Sequence, residues 1–350
     1  MRVHITSIYN QMGTHVIAQQ NVMKVASTLG FVEMPLFCYD VNVDTDEQLS
    51  ARLDGIVAGL KFGDIVIIQS PSWNILRYDE RIVQRIRAYK DVQIIMFVHD
   101  VIPLLFQSGE ENLRRTIDIY NMSDLIILPS QTMYDVLVEH GLKVKKYLVQ
   151  KMFDYPVSGS LNKPEFQKKM IFTGAPSRFT FIDDWKYDTL LSLYTREELD
   201  VTGKNIQLNG YQSELGLLSQ MSQGGFGLVW SSEKAKEYYY CVMPYKLGNF
   251  LAAGIPVIVE RGIAPAKAIE KNHLGFVVDC LEEASQRVQS CTPQQYNEMV
   301  ENIFHFNFLI YICVRKKHFV LRNRECINFV SEWWYRHRIG SGMSNGDKRG

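Results

Sequence analysis

The sequence predicts an α/β protein built from two successive doubly wound domains. Short, mostly apolar runs alternate with segments of helical period, which is the pattern of a parallel sheet covered by helices on both faces. This alternation stops once, between residues 152 and 168, where Pro, Gly and Ser cluster, and then starts again. A chain of 350 residues is also too long for one ordinary core and fits two.

Four apolar runs predict the strands of the first domain, which we expect over residues 1–155. The runs cover residues 2–9, 64–70, 93–99 and 124–129. Helices are predicted at 15–29, from its apolar periodicity, and at 131–139, which Gly141 ends. Each crossover between parallel strands is expected to be right-handed.

The second domain is expected over residues 165–310, with the same architecture and an unrelated sequence. Its predicted strands cover residues 169–174, 205–210, 225–230, 255–259 and 275–279. A helix is predicted at 243–253, directly before the fourth of these strands. Apolar residues at helical spacing predict a terminal helix within 311–338, and the polar residues 339–350 are predicted to be a disordered tail.

Composition and motifs exclude several classes of function. The formal net charge is zero, so no overall field attracts nucleic acid. The glycine fingerprints of P-loop enzymes and of ordinary dehydrogenases are absent, and Asp183-Asp184 is predicted to be a surface pair and not a metal site. The six cysteines form no CxxC pair and no secretion signal is visible. We therefore expect reduced thiols in a cytoplasmic protein that uses neither a metal nor another cofactor.

Ligands of doubly wound sheets bind beyond the carboxyl ends of the strands, so the residues that follow each strand are the candidates. After the first strand, Gly13 allows close backbone approach, and Thr14 lies at a helix start whose free N–H groups attract a phosphate or a sugar hydroxyl. Thr14 as a simple helix cap is the alternative. After the third strand, His99 and Asp100 are candidates for a catalytic base or for a grip on sugar hydroxyls. A structural core histidine and an aspartate that caps the next turn are the alternatives.

The second domain offers a polar side chain after each of its first two predicted strands. Arg178 follows the strand at 169–174 and is well placed for a bidentate contact with a pyrophosphate. A surface salt bridge is the alternative. Tyr211 follows the strand at 205–210, where its ring can stack on a base or its hydroxyl can reach a phosphate, and a core tyrosine is the alternative.

The strongest local signal lies between residues 243 and 259. Pro244 begins the predicted helix, and Lys246 and Asn249 lie three residues apart on one face of its first turns. A helix that opens at a cleft with these side chains suits a sugar diphosphate, whose charge the helix dipole also favours. A structural helix with a solvated lysine is the alternative.

The run at 244–259 resembles the second-domain motif of GT-B glycosyltransferases, in which two Rossmann-like domains face each other across a cleft. More narrowly, the chain resembles the streptococcal and lactobacillal accessory glucosyltransferases that extend O-linked GlcNAc on serine-rich-repeat adhesins. It is also similar to bacterial galactofuranosyltransferases of polysaccharide assembly. Residues 99–106 and 124–130 carry this likeness in the first domain, and residues 204–232 carry it in the second.

This resemblance implies a UDP-sugar-dependent hexosyltransferase that moves glucose from UDP-glucose to O-linked GlcNAc on a serine/threonine-rich adhesin. The implied UDP-sugar-binding residues are Thr14, Arg178, Tyr211, Lys246 and Asn249. The acceptor sugar is expected against the first domain, near Gly13, Thr14 and the candidate catalytic pair His99 and Asp100.

The resemblance also implies a homo-oligomer and a terminal helix that crosses back onto the first domain. A peripheral membrane contact is the alternative for that helix. Two other functions stay open: a galactosyl or galactofuranosyl transferase of polysaccharide synthesis, and a non-catalytic GT-B partner subunit. The paired-glutamate motif of many retaining GT-B enzymes is absent, so neither a catalytic glutamate nor a stereochemical outcome is carried over.

Overall fold

A computed structural model describes residues 1–150, 152, 153, 155, 156 and 161–315 of the chain. It contains two parallel six-stranded sheets in consecutive halves of the sequence. The predicted α/β architecture of two doubly wound units is therefore confirmed. Most of the predicted terminal helix, from residue 316 onward, and the whole predicted tail lie outside the described residues. Among the helices that are described, none is long and apolar enough to cross a membrane.

The first sheet has the strand order β2-β1-β3-β4-β5-β6, and all of its pairings are parallel. Its strands are β1 (Val3–Tyr9), β2 (Val32–Phe37), β3 (Ile65–Ser70), β4 (Gln93–Val98), β5 (Leu125–Leu128) and β6 (Tyr147–Val149). The helices of this half are α1 (Thr14–Thr28), α2 (Asp46–Val57), α3 (Leu76–Arg87), α4 (Ile102–Phe106), α5 (Glu110–Tyr120) and α6 (Gln131–Glu139).

The second sheet has the order β12-β11-β10-β7-β8-β9, and its pairings are also parallel. Its strands are β7 (Glu165–Thr173), β8 (Leu190–Tyr194), β9 (Ile206–Leu208), β10 (Gly224–Val229), β11 (Val257–Glu260) and β12 (Gly275–Val278). Its helices are α7 (Glu214–Met221), α8 (Lys236–Tyr239), α9 (Tyr245–Ala252), α10 (Ala266–Lys271), α11 (Leu281–Ser290) and α12 (Pro293–Arg315).

The central strands are continuous apolar runs because helices cover both faces of each sheet. Every residue of β3, β5, β10 and β11 is buried. Three strands were not predicted, namely β2, β6 and β8. β2 contains Pro35, which cannot donate to a ladder and is tolerated because this strand lies at the sheet edge. β6 has three residues, none of them fully buried, and in β8 the polar Ser192 interrupts the apolar run.

The strand orders locate a crevice in each sheet. The order reverses between β1 and β3 in the first sheet and between β7 and β10 in the second. Connections leave such neighbouring strands toward opposite faces, which opens a ligand-binding crevice at their carboxyl ends. Residues 10–13 and 71–73 border the first crevice, and residues 174–178 and 230–232 border the second.

Hydrogen bonds join the two halves beside these crevices. The Asn21 amide of α1 donates to the hydroxyl of Tyr245, the first residue of α9, at 2.6 Å. The Tyr238 hydroxyl of α8 accepts from the backbone N–H of Val101 at 3.0 Å. Asn21, Val101 and Tyr238 are all buried. The carboxyl edges of the two sheets therefore face each other across a common cleft.

The packing of α9 on β10 depends on a glycine. An added Cβ at Gly227 would overlap the buried ring of Phe250 on α9. We expect Gly227→Ala to lower the free energy of unfolding by about 1–3 kcal/mol because the helix must move away from the strand. Gly55→Ala is the control, since Gly55 lies exposed in α2 with open space around its Cβ position.

The control substitution should raise the free energy of unfolding by about 0.5–1 kcal/mol, because alanine loses less conformational entropy than glycine in a helix. Denaturant unfolding measures both variants. Equal effects of the two substitutions would contradict the packing argument.

Candidate functional site

The start of α9 carries two buried polar atoms that have no hydrogen-bond partner within the described part of the chain. They are Lys246 Nζ and Asn249 Oδ1, which lie about one helical turn apart. Buried polar groups are nearly always paired in folded proteins, so two unpaired atoms on one helix face indicate a position prepared for a polar ligand. Pro244 is the N-cap of the helix and supplies no side-chain cap.

Two aromatic rings form the floor beneath Lys246. Its Nζ lies 4.1 Å from the ring centre of Phe172 and 4.3 Å from that of Phe179. Such contacts attract a cation weakly compared with a carboxylate. Gly174 lets the rings pack, because a Cβ there would lie 2.8 Å from Phe172 and 3.0 Å from Phe179. Burial, followed by repulsion from Arg178, lowers the pKa of Lys246 from 10.5 to about 7.

Arg178 follows β7 and lies exposed at the cleft. Its backbone N–H donates to the carbonyl of Ala175 at 2.9 Å, which closes a turn at the end of the strand. Its positive charge acts on Lys246 in the second half of the chain and on Asp100 in the first. The predicted diphosphate residues Arg178 and Lys246 therefore lie close together, and Asp100 faces them.

Tyr211 lies apart from this group, in a cavity at the carboxyl ends of β8 and β9. Its side chain is 63% exposed, so it is not a core tyrosine. The guanidinium carbon of Arg196 lies 3.9 Å from the Tyr211 ring centre. The cavity has a volume of about 410 Å³, and its lining includes Thr195, Arg196, Glu197, Leu208, Gly210 and Tyr211.

Arg196 and Glu197 are cavity residues that the sequence analysis missed. They follow β8, and because that strand was not predicted, the residues after it were not considered. The carboxylate of Glu197 accepts hydrogen bonds from Ser177, at 2.9 Å from its backbone N–H and at 2.6 Å from its hydroxyl. This contact ties the Tyr211 cavity to the loop that carries Arg178.

His99 is buried and is held by one ring nitrogen. Its Nε2 lies 2.9 Å from Gln69 Oε1. The Gln69 amide nitrogen donates to the carbonyls of Thr6 and Gln19 at 2.6 and 3.1 Å, so its oxygen faces the histidine. His99 Nε2 is therefore the protonated donor, and Nδ1 keeps its lone pair. Nδ1 is buried and has no partner among the described residues.

His99 is buried and hydrogen-bonded at Nε2, as the alternative of a structural core histidine predicts, but its Nδ1 has no partner among the described residues. The ring lies against Phe153, with the two ring centres 5.4 Å apart, and burial lowers the pKa of His99 to about 3. The imidazole is consequently neutral at physiological pH. A neutral ring with a free Nδ1 can accept a hydrogen bond from a hydroxyl group, whereas the low pKa makes it a weak base.

Asp100 reaches across the cleft. Its Oδ1 accepts a hydrogen bond of 2.8 Å from the Tyr238 hydroxyl. Burial raises the pKa of Asp100, whereas the Tyr238 hydrogen bond and the charge of Arg178 oppose this shift. The alternative that Asp100 caps the next turn is wrong, since Val101 is the N-cap of α4 and no side chain caps that helix.

Gly13 and Thr14 lie at the first crevice. Gly13 is the N-cap of α1, with φ = 133°, and Thr14 is its exposed first residue. No side chain caps this helix, so the alternative that Thr14 is a simple cap is wrong. The ring of the next residue, His15, lies against that of Trp73 with 4.1 Å between ring centres and a tilt of 33°. The sequence analysis named neither of these rings. The N-terminal amides of α1 are thus free of a side-chain cap.

Acidic residues do not converge into a metal site in the part of the chain that the structure describes. No group of three or more His, Cys, Asp or Glu side chains there is arranged to hold a metal ion. Asp183 and Asp184 are both exposed, as predicted. Arg178 and Lys246 supply positive charge at the cleft.

Family models match both halves of the chain. The model for the Glucosyltransferase 3-like N-terminal domain matches residues 2–152, and the model for the C-terminal domain of the same family matches residues 170–320. The chain belongs to the Glucosyltransferase 3-like family. A Glucosyltransferase 3 of Streptococcus parasanguinis is 43% identical over 309 residues, which cover 88% of this chain and 93% of the relative.

Other relatives are similar over most of the length. A Glucosyltransferase 3 of Streptococcus gordonii is 41% identical over 316 residues, covering 89% of this chain and 94% of the relative. The beta-1,6-galactofuranosyltransferase WbbI of Escherichia coli K12 is 24% identical over 279 residues, covering 72% and 77%. These relatives are glycosyltransferases, and the family assignment confirms the prediction that this chain is one.

Solved structures share the fold at low sequence identity. The Anabaena protein HepE in complex with UDP and glucose superposes with a TM-score of 0.63 at 11% identity, covering 95% of this chain and 100% of HepE. The sucrose-phosphate synthase of Thermosynechococcus elongatus gives a TM-score of 0.63 at 12% identity, covering 97% and 99%. These neighbours confirm the GT-B fold.

The neutral state of His99 predicts a pH-dependent contribution to stability. The folded-state pKa is about 3 and the ordinary value is 6.5, so between these values the unfolded chain binds a proton that the folded chain does not. The contribution is therefore lost as pH falls from 6.5 toward 3, by at most about 1.4 kcal/mol per pH unit.

His99→Gln should remove this dependence. Urea unfolding at about pH 7.5 and about pH 5 measures it, and the free energy of unfolding of the variant should gain on that of the wild type at the lower pH. Contributions from other ionisable groups are common to both proteins. A difference between the two proteins that does not change with pH would contradict a buried neutral histidine.

Proposed function

We propose that this glycosyltransferase moves glucose from UDP-glucose to GlcNAc that is O-linked to a serine/threonine-rich adhesin. The observation that carries the proposal is the pair of buried, unpartnered polar atoms at the start of α9, Lys246 Nζ and Asn249 Oδ1. The name Glucosyltransferase 3 of the streptococcal relatives favours glucose as the sugar. HepE, which shares the fold, holds UDP and glucose.

The second half of the chain offers the chemistry that a nucleoside diphosphate requires. Arg178 can contact the diphosphate with two parallel N–H donors, and Lys246 can add a charge at the helix start. The Asn249 amide is within one turn and can bind a hydroxyl of the ribose or of the donor sugar. The cavity at Tyr211 and Arg196 lies next to the Arg178 loop, at a place where a flat base can stack.

The transfer step needs a leaving-group stabiliser and a base. The acceptor hydroxyl forms a new bond to C1 of the donor sugar, and the bond between C1 and the β-phosphate oxygen breaks. Negative charge then develops on UDP, where Lys246 and Arg178 stabilise it. The hydroxyl proton passes to Asp100, whose pKa is raised, or to His99 Nδ1, which its low pKa makes the weaker base. Both groups lie on the first-domain side of the cleft.

The acceptor side of the proposal rests on the family and on the first crevice. The uncapped start of α1 at Gly13 and Thr14 offers free N–H donors for sugar hydroxyls. A homo-oligomer, which is part of the proposal, would present several acceptor sites to one repetitive polypeptide. Light scattering of the purified chain tests that part, and a monomer would remove it.

A galactofuranosyl transfer is the second candidate function, and the 24% identity to the Escherichia coli beta-1,6-galactofuranosyltransferase is the observation that favours it. That identity is well below the 43% to a streptococcal Glucosyltransferase 3, so we place glucose first. The two functions share the cleft and the diphosphate contacts. They differ only in the sugars.

A transfer assay distinguishes these functions. The full chain is incubated with UDP-glucose, UDP-galactose or UDP-galactofuranose and a serine-rich peptide that carries O-linked GlcNAc, with the unmodified peptide as the control. We expect mass spectrometry to show one added hexose from UDP-glucose on the modified peptide alone. Since protein cations supply the positive charge, the transfer should persist in EDTA. Equal turnover of UDP-galactofuranose would overturn the choice of glucose, and UDP binding without any transfer would favour a non-catalytic partner subunit.

UDP affinity should decrease above pH 7. Lys246 in the free protein has a pKa of about 7, so a growing fraction of it is neutral above that pH, whereas the diphosphate binds the charged form. The Kd for UDP should therefore rise by up to about 10-fold per pH unit, because binding must first add a proton. Calorimetry at several pH values measures this slope.

Lys246→Met should bind UDP more weakly near pH 6.5 and show no such slope above about pH 7. Lys163→Met is the matched control, because Lys163 is an exposed lysine whose Nζ lies 3.0 Å from Glu301, away from the cleft. The control should retain the wild-type slope. A wild-type slope in Lys246→Met would show that this ammonium does not bind the diphosphate.

A further inference from the structure

We propose that Tyr238 is a positioning residue, which holds the Asp100 carboxylate in its acceptor-activating orientation only while the two domains are closed on each other. The inference rests on the proposed function, in which Asp100 is a candidate base. Tyr238 belongs to α8 in the second half of the chain, whereas Asp100 follows β4 in the first half.

The Tyr238 hydroxyl makes two hydrogen bonds to consecutive residues of the opposite domain. It donates to Asp100 Oδ1 at 2.8 Å and accepts from the Val101 N–H at 3.0 Å. A hydroxyl that is engaged as donor and as acceptor has a fixed direction. Because the same hydroxyl also binds the backbone N–H of the next residue, Val101, the direction of the Asp100 carboxylate is fixed. Tyr238 is only 5% exposed. Oδ2 of Asp100 can then accept a hydrogen bond from the hydroxyl of the acceptor sugar.

The short connection between α8 and α9 links the Tyr238 contact to the proposed diphosphate site. α8 ends at Tyr239, and α9, which carries Lys246, begins at Tyr245. A second interdomain hydrogen bond joins Asn21 to Tyr245. One short segment therefore carries both the diphosphate lysine and the tyrosine that orients Asp100. Displacement of this segment from the first domain would break both contacts together.

The charge environment of Asp100 also comes largely from the second domain. The groups that face it are Tyr238 and Tyr239 of α8, Arg178 after β7, and Tyr120 of α5. Burial raises the pKa of Asp100, and the two influences that oppose this, Tyr238 and Arg178, both lie across the cleft. The orientation of Asp100, and the two contacts that favour its ionised form against the effect of burial, are therefore properties of the closed arrangement. When the donor domain is displaced, the carboxylate loses this fixed orientation toward an acceptor hydroxyl.

Tyr238→Phe in the full chain tests the proposal. Loss of orientation should lower kcat roughly 10- to 100-fold, whereas the UDP-induced rise in Tm should stay as in the wild type. The acid limb of the pH–kcat profile should move upward by about one pH unit, because the lost hydrogen bond stabilised the ionised carboxylate. Tyr296→Phe is the control, since it removes a buried tyrosine hydroxyl that is bonded to Gly225 inside the second domain.

The control should keep the wild-type kcat and acid limb even if its Tm falls. Wild-type kcat and an unmoved acid limb in Tyr238→Phe would overturn the proposal, and so would a loss of UDP binding in parallel with kcat. The carboxylate ¹³C titration of Asp100 provides a readout that needs no transfer reaction. Its pKa should be higher in Tyr238→Phe than in the wild type, and an unchanged value overturns the inference even where the wild type proves to transfer no sugar.

Discussion

The cleft is organised around an ammonium group that is buried without a counter-charge. Burying a cation is costly unless it is paired. Among the described residues, Lys246 contacts the rings of Phe172 and Phe179 and is repelled by Arg178. Close packing of the surrounding residues holds Lys246 in this position. Gly174 lets the two rings meet beneath the ammonium, and Gly227 lets α9 press against β10. A polar ligand with negative charge would relieve the cost, which makes the site selective for such a ligand.

The first domain shows the complementary arrangement: the neutral ring of His99 has a nitrogen that receives no hydrogen bond from the described residues. Gln69 is held by two backbone carbonyls, so its oxygen fixes which nitrogen of His99 carries the proton. The remaining lone pair at Nδ1 is buried and unpaired, as Lys246 Nζ is on the other side. Each domain thus contributes a buried polar atom that lacks a hydrogen-bond partner among the described residues. The interdomain contacts of Tyr238 and Tyr245 bring the two halves into one cleft, where a donor and an acceptor can complete both.

The fold could be predicted because strands buried on both faces must be apolar along their whole length. The helices at 131–139 and around Lys246 were predicted within two residues of their bounds, because Gly141, Pro244 and Gly254 mark their ends. β2 was missed because Pro35 lowers its strand propensity, although an edge position tolerates it. β8 was missed because the polar Ser192 interrupts its apolar run. The residues that follow it, Arg196 and Glu197, were therefore not considered as candidates.

The partners of the candidate site residues could not be predicted, because they come from distant parts of the chain. Asp100 and Tyr238 are 138 residues apart, and Asn21 and Tyr245 are 224 apart. Local sequence shows that a strand ends at His99 and Asp100, but not which residue across the cleft orients them. The tautomer of His99 likewise depends on Gln69, whose own bonds run to Thr6 and Gln19. Such roles arise from tertiary packing alone.

The charges of the cleft bear on both the binding of the proposed donor and the transfer step. A UDP-sugar carries two negative charges on its diphosphate, which Arg178 and charged Lys246 would balance in the proposed complex. Cleavage of the sugar bond places additional negative charge on the departing phosphate. The start of α9 has no side-chain cap. With the diphosphate placed there as proposed, the helix N-terminus would favour that developing charge without cost in reorganisation. The two cations would hold the substrate and also stabilise the developing charge, and the helix start would add to that stabilisation. Only the part of these interactions that strengthens in the transition state accelerates the reaction.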